Sequence, residues 1–99
     1  MQLKRVREAI ALPRFRLRLI LTDGSRVERD ISDILEGPMF RPLREDEALF
    51  RQVRVEGGTV TWPNGADICP DVLIWGGAPP VEEREAPRSL RIGRMPTVA

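Results

Sequence analysis

The chain has 99 residues, a length that fits one domain. Sixteen basic residues against fifteen acidic ones leave a net charge of +1, so no general field draws it to nucleic acid or to a membrane surface. One cysteine, Cys69, excludes an internal disulfide, and no run approaches the ~18 apolar residues of a membrane span.

The expected compartment is the cytoplasm. Charges recur from Lys4 to Glu8, so no signal-peptide core follows the basic residues. A lone cysteine agrees with a reducing environment. Lys4 is the one lysine, and every other basic residue is arginine. With the net charge near zero, the arginine excess reads as codon bias rather than phosphate recognition.

Residues 3–10 place Leu3, Val6 and Ile10 at loosely alternating positions and predict a first strand, which Pro13 ends. Residues 14–21 alternate strictly. Phe15, Leu17, Leu19 and Leu21 share one face; Arg14, Arg16 and Arg18 share the other. A second strand of the pair runs from Ser25 to Ile31.

Charge selects the loop between them. A two-residue loop, Asp23-Gly24, sets Leu19 opposite Glu28 and Leu17 opposite Asp30. A three-residue loop, Thr22 to Gly24, sets Leu19 opposite Val27, Arg18 opposite Glu28 and Arg16 opposite Asp30. Matched cross-strand pairs each contribute ~0.2–1 kcal/mol, so the longer loop is expected. That register leaves one pair without a reason: Arg29 opposite Leu17.

Ser32 to Glu36 then reads as one helical turn, with Ser32 as its cap and Gly37 as its end. Pro38 is expected to block continuation, leaving Met39, Phe40 and Leu43 as apolar anchors around Pro42. Asp46 is suited to cap a helix over about 47–53 that buries Leu49, Phe50 and Val53. Gly57-Gly58 joins two short strands, pairing Val55 with Val60 and Val53 with Trp62. Trp62-Pro63-Asn64-Gly65 is a tight turn. Pro70 opens a short helix with Asp71 at its positive end, and Gly76-Gly77 stops it.

These elements predict an α+β fold: a small antiparallel sheet made of a three-strand meander plus a second hairpin, with two or three short helices and an irregular C-terminal tail. The domain is expected over residues 1–75, with residues 76–99 a flexible Pro/Gly-rich tail. Within the tail, Ser89 to Ile92 is suited to add as an edge strand to the domain or to a partner. A core built from about 75 residues buries only about 60% of its unfolded surface, so a homodimer or a bound partner would support it.

The chemistry is defined chiefly by what is missing. The sequence has no histidine and no tyrosine. That removes Ser-His and Cys-His nucleophile pairs, imidazole proton shuttles and His-ligated metal sites. No phosphate-binding glycine loop is present. Asp67 and Asp71 bracket Cys69-Pro70, but hard cations want more oxygen ligands than two side chains supply. They read as a turn acceptor and a helix-start charge. Cys69 lacks a resolving cysteine and a basic partner, so it reads as an unreactive thiol. No catalytic residue, cofactor or metal ligand is therefore expected.

Trp62 and Trp75 are the two tryptophans; both suit packing, and either would anchor a partner if exposed. With Asn64 and Asp67 they form the candidate partner-binding set. Arg14, Arg16 and Arg18 form the candidate nucleic-acid set, although two of the three face carboxylates and no aromatics share their face.

In order, the chain presents Asp30-Ile31-Ser32-x-Ile34-Leu35-Glu36-Gly37, Phe40-x-Pro42-Leu43, and Leu49-Phe50-x-x-Val53-x-Val55. Gly57-Gly58-Thr59-Val60-x-Trp62-Pro63-Asn64-Gly65-Ala66-Asp67-Ile68 and Pro70-x-x-Leu73 follow. Over about residues 3–75 this resembles a small bacterial family, the domain of unknown function 2442, with W-P-N-G-x-D as its most specific stretch. The resemblance implies a compact α+β domain without an established enzyme activity. It also implies a frequent genetic neighbour, a second small protein in an arrangement like toxin–antitoxin pairs. Some members carry a helix-turn-helix domain afterwards. The 24 residues after Trp75 are too short and irregular for one, so DNA binding by that route is not expected. The function expected is a protein-interaction module, antitoxin-like, with a small toxin-like partner. A nucleic-acid-binding autoregulator is the alternative, and a carboxylate or metal-dependent enzyme ranks third.

Overall fold

The computed structural model describes residues 4–77 and 85–93. It confirms the α+β class. Strands β1 (Val6–Leu12), β2 (Arg16–Leu21) and β3 (Arg26–Asp30) form an antiparallel meander. Helices α1 (Gly37–Glu45) and α2 (Glu47–Phe50) follow, after a 3-10 turn at Ser32–Ile34. A second sheet has the order β4 (Arg54–Glu56), β5 (Thr59–Thr61), β6 (Asp67–Ile68). Helix α3 (Pro70–Trp75) and strand β7 (Ser89–Arg91) complete the described elements.

The β2–β3 register is the one that charge selects. Leu19 faces Val27, Arg18 faces Glu28 and Arg16 faces Asp30. Period-two alternation buries Leu17, Leu19, Leu21, Val27 and Ile31 in one cluster with Leu43, Phe50, Leu73 and Ile74 from the helices. Each fully buried aliphatic of this kind contributes about 1.5–3 kcal/mol, so the helices are held to the sheet mainly by this cluster.

β1 runs past its expected end to Leu12, and its register slips once between Val6 and Glu8. The slip is a bulge, which lets Val6 and Ala9 both face inward. The Val6 amide then donates to the Gly58 carbonyl at 3.3 Å, joining the first sheet to the β4–β5 turn. Gly58 is fixed there twice over. Its φ is 83°, and a Cβ would sit 3.0 Å from the Arg5 side chain.

Four expectations are corrected in the middle of the chain. Ser32 does not cap the turn after β3; its hydroxyl and amide both donate to Asp30 Oδ1, at 2.7 and 3.0 Å. Gly37 is not a helix end, and Pro38 does not block a helix. Pro38 occupies the first turn of α1, where its missing N–H has no partner to lose. Pro42 lies inside α1, and burial of Leu43 carries the helix through it. The next helix is also shorter than expected, ending at Phe50, although Asp46 caps it by accepting from the Ala48 and Leu49 amides.

The second hairpin pairs Val55 with Val60 as expected, and β6 adds a third strand that the turn at Trp62–Gly65 returns antiparallel. Ser89 to Arg91 does add to the domain, running parallel to β3. Ile92 beyond it is buried, and its amide donates to the Asp30 carbonyl at 2.8 Å. The rest of the expected tail, residues 78–84 and 94–99, lies outside the described residues.

Candidate functional site

The β1–β2 turn, Pro13-Arg14-Phe15, contains no glycine, yet Arg14 and Phe15 have φ of 65° and 58°. Left-handed backbone at a residue with a Cβ costs about 1–3 kcal/mol, and persists only where surrounding contacts fix it. Phe15 supplies those contacts. Its ring meets Phe50 edge-on at 5.4 Å, and Phe50 stacks on Trp62 at 6.0 Å. The Arg44 guanidinium lies 5.8 Å from the Phe15 ring centre. The Phe15 carbonyl accepts from the Ile31 amide at 2.9 Å.

This turn overhangs the junction of α1 and α2. Between them lies a groove of about 520 Å³, lined by Phe15, Phe50, Arg14, Arg44, Glu45 and Arg51. The sequence places these side chains by simple means. Asp46 separates the two helices as a cap, which puts Arg44 and Glu45 at the end of one and Glu47 and Arg51 on the other.

The charges differ in how far they are committed. Arg51 pairs with Glu47 at 2.9 Å. Arg44 donates from Nε to the Leu35 carbonyl at 3.1 Å and from Nη2 to the Ser32 carbonyl, so it braces α1 against the preceding turn. Arg14 is exposed and has no side-chain partner among the described residues. The groove therefore offers one uncommitted guanidinium, held by a constrained turn in a lining that Phe15 and Phe50 share.

The residues proposed from sequence are distributed differently. Trp62 is 1% exposed, and its Nε1 donates to the Phe50 carbonyl at 3.0 Å. It is a core residue and presents no surface to a partner. Asn64 is committed internally: Nδ2 donates to the Met39 carbonyl at 2.9 Å and Oδ1 accepts from the Ala66 amide at 3.2 Å. It fastens the second sheet to α1. Asp67 is exposed on β6, and Trp75 is half-buried at the end of α3 with Lys4 Nζ 5.5 Å from its ring. Trp62 and Asn64 share the turn that leads into β6, which Asp67 begins; among the described residues no ring contact joins Trp75 to Trp62.

The arginine row is also divided. Arg18 meets Glu28 at 3.5 Å, Arg16 faces Asp30 and donates to the Pro13 carbonyl at 3.2 Å, and Arg14 belongs to the turn. Asp30 is held below its ordinary carboxylate value, first by the Ser32 hydroxyl, then by the Ser32 amide and by Arg91 and Arg16, against the opposing effect of burial. Among the described residues, no three acidic or cysteine side chains gather as a metal site would require. Cys69 is exposed and precedes α3. No helix among the described residues is long and apolar enough to cross a membrane.

Sequence reasoning missed the groove. The available signal was Pro13-Arg14-Phe15 itself: a reversal between two strands with no glycine, asparagine or aspartate to take the left-handed positions.

The profile of the family described as protein of unknown function (DUF2442) matches residues 6–79. The chain belongs to this family. The match spans every element from β1 to α3, so the groove and its overhanging turn both lie inside the family domain. Searches of curated proteins and of solved structures return no match.

Proposed function

We propose that this member of the DUF2442 family is a non-catalytic protein-interaction module, the antitoxin-like half of a two-protein pair in the cytoplasm. The observation that carries the reading is the turn at Arg14 and Phe15. Two consecutive left-handed non-glycine residues hold Arg14, without a side-chain partner among the described residues, in the lining of a groove that Phe15 and Phe50 also line. Constrained backbone of this kind belongs to clamps and binding loops. Arginine beside aromatic side chains is the composition of interface anchors. A sequence without histidine or tyrosine supports a non-catalytic role. The two-protein arrangement rests on what family resemblance implies.

An acidic side chain of the partner is the complement to Arg14. Co-expression with the product of the neighbouring gene should give a complex that survives size exclusion. Arg14→Glu should release the partner while leaving the fold intact, because Arg14 has no side-chain partner among the described residues. Absence of a complex, together with no rescue of growth, removes the proposal. The arginine-based nucleic-acid reading has less support, since Arg16 and Arg18 both stand opposite carboxylates.

A further inference from the structure

The outer face of the four-stranded sheet carries a second surface, separate from the groove. Alternation sends Ile10, Arg16, Arg18 and Arg26 to the side opposite the core. This side is open: Ile10 is 48% exposed, and the side chains of Arg18 and Arg91 are 50% and 66% exposed. Ile10 has Leu12 two residues along its strand, and Ile20 lies diagonally across on β2. These three make an apolar corner on a face that is otherwise charged but for Ser89.

Over two rows of this face, beyond the Ile20–Arg26 row, the charges are ordered by strand. β2 contributes Arg16 and Arg18 in adjacent rows; β3 contributes Asp30 and Glu28 in the same two rows. A cationic column therefore lies beside an anionic column. A partner of single sign meets attraction on one column and repulsion on the other. A second copy turned about a two-fold axis between β2 and β3, parallel to the strands, meets attraction on both. Arg16 and Arg18 then lie over the partner's Asp30 and Glu28, and the reverse holds at the same time. Such a contact is isologous and closes on itself. The same rotation brings Ile10 and Leu12 across from the partner's Ser89 and Arg91, whose aliphatic stem covers apolar surface.

We infer that the outer face of the β1-β2-β3-β7 sheet is a homodimer interface, two copies meeting face to face with β2 of one over β3 of the other. This inference does not depend on the groove or on the proposed function.

Sedimentation velocity of the full chain from about 1 to about 300 μM tests it, with dissociation expected in the micromolar range. Added salt should weaken the dimer, because the facing charges are screened. Arg18→Glu and Glu28→Arg should each weaken it by about tenfold or more, since each sets like charges face to face. The double exchange of Arg18→Glu with Glu28→Arg should restore it, because plus and minus columns are then swapped within every copy. Ile10→Glu should weaken it independently of salt. Circular dichroism shows whether each variant folds, and the double exchange keeps the test decisive if a single variant does not. A monomer throughout the concentration range overturns the inference. So does a dimer indifferent to Arg18→Glu, Glu28→Arg and Ile10→Glu.

Discussion

The guanidinium of Arg29 donates from Nε to the carbonyl oxygen of Leu73, closing the end of α3 from inside the core. Nη2 donates to the neighbouring Ile74 carbonyl at 3.0 Å, and Nη1 to the Glu28 carbonyl at 2.7 Å. The last carbonyls of a helix have no intrahelical partner, and here one buried side chain satisfies two of them. Arg29 is 0% exposed, and burial pulls its pKa down to about 10. It remains charged at neutral pH, and its partners among the described residues are carbonyl dipoles rather than carboxylates. Arg29→Ala should destabilise the fold by about 3 kcal/mol, the scale of two buried carbonyls left unpaired plus a cavity. Arg29→Lys should recover only part of this, because an ammonium lacks the planar fork. Urea unfolding midpoints measure both. A loss under about 0.5 kcal/mol for Arg29→Ala would show that the carbonyls find water instead.

Arg29 also marks where local reasoning stops. Its partners lie 44 and 45 residues away, so neither strand alternation nor hairpin register reveals them. The sequence did expose the anomaly: a cation opposite Leu17 on the buried face. The register around it was legible because apolar alternation and cross-strand charge agreed. The Gly57-Gly58 hairpin and the Asp46 cap were legible because each rests on residues a few positions apart. α1 was obscured by its two prolines, whose local effect is outweighed by burial of Leu43. The groove was obscured because Phe15 takes a backbone conformation that only its contacts with Phe50 and Arg44 make tenable.

The turn at Arg14 makes a prediction of opposite signs. Glycine adopts φ near 65° without a Cβ clash, so Arg14→Gly should stabilise the protein by about 0.5–1 kcal/mol. The same change removes the guanidinium from the groove and should weaken the partner complex. A raised melting temperature with reduced binding is the expected pair of results. A lowered melting temperature would mean that Arg14 makes a contact its exposed position does not suggest.

The two tryptophans should separate clearly. Trp62→Ala removes the end of the Phe15–Phe50–Trp62 stack and should cost about 3–5 kcal/mol. Trp62→Phe keeps a ring but removes the indole N–H, leaving the Phe50 carbonyl only the Val53 amide, for about 1 kcal/mol. Trp75→Ala, at a half-buried position, should cost about 1 kcal/mol. Chemical denaturation ranks the three. Equal losses at Trp62 and Trp75 would contradict the difference in burial.

Asp30 gives the fold an acid dependence of known sign. Its folded pKa lies below the ordinary 3.8, so near that value the unfolded chain binds more protons than the native one. Stability from Asp30 is then complete above about pH 4 and is lost as pH falls through the folded value. Asp23 acts in the same direction through Ser25 and Lys4, so acid unfolding draws on the β2–β3 turn and on the end of β3. Asp30→Asn should flatten the fall in urea midpoint below about pH 4 without abolishing it. The Ser32 hydroxyl is the largest cause of the shift, so Ser32→Ala should reproduce part of that flattening while leaving every charge in place. Parallel pH profiles for Ser32→Ala and the parent chain would instead assign the shift to Arg91 and Arg16. The carboxylate would then be held by its cross-strand neighbours rather than by the turn that follows β3.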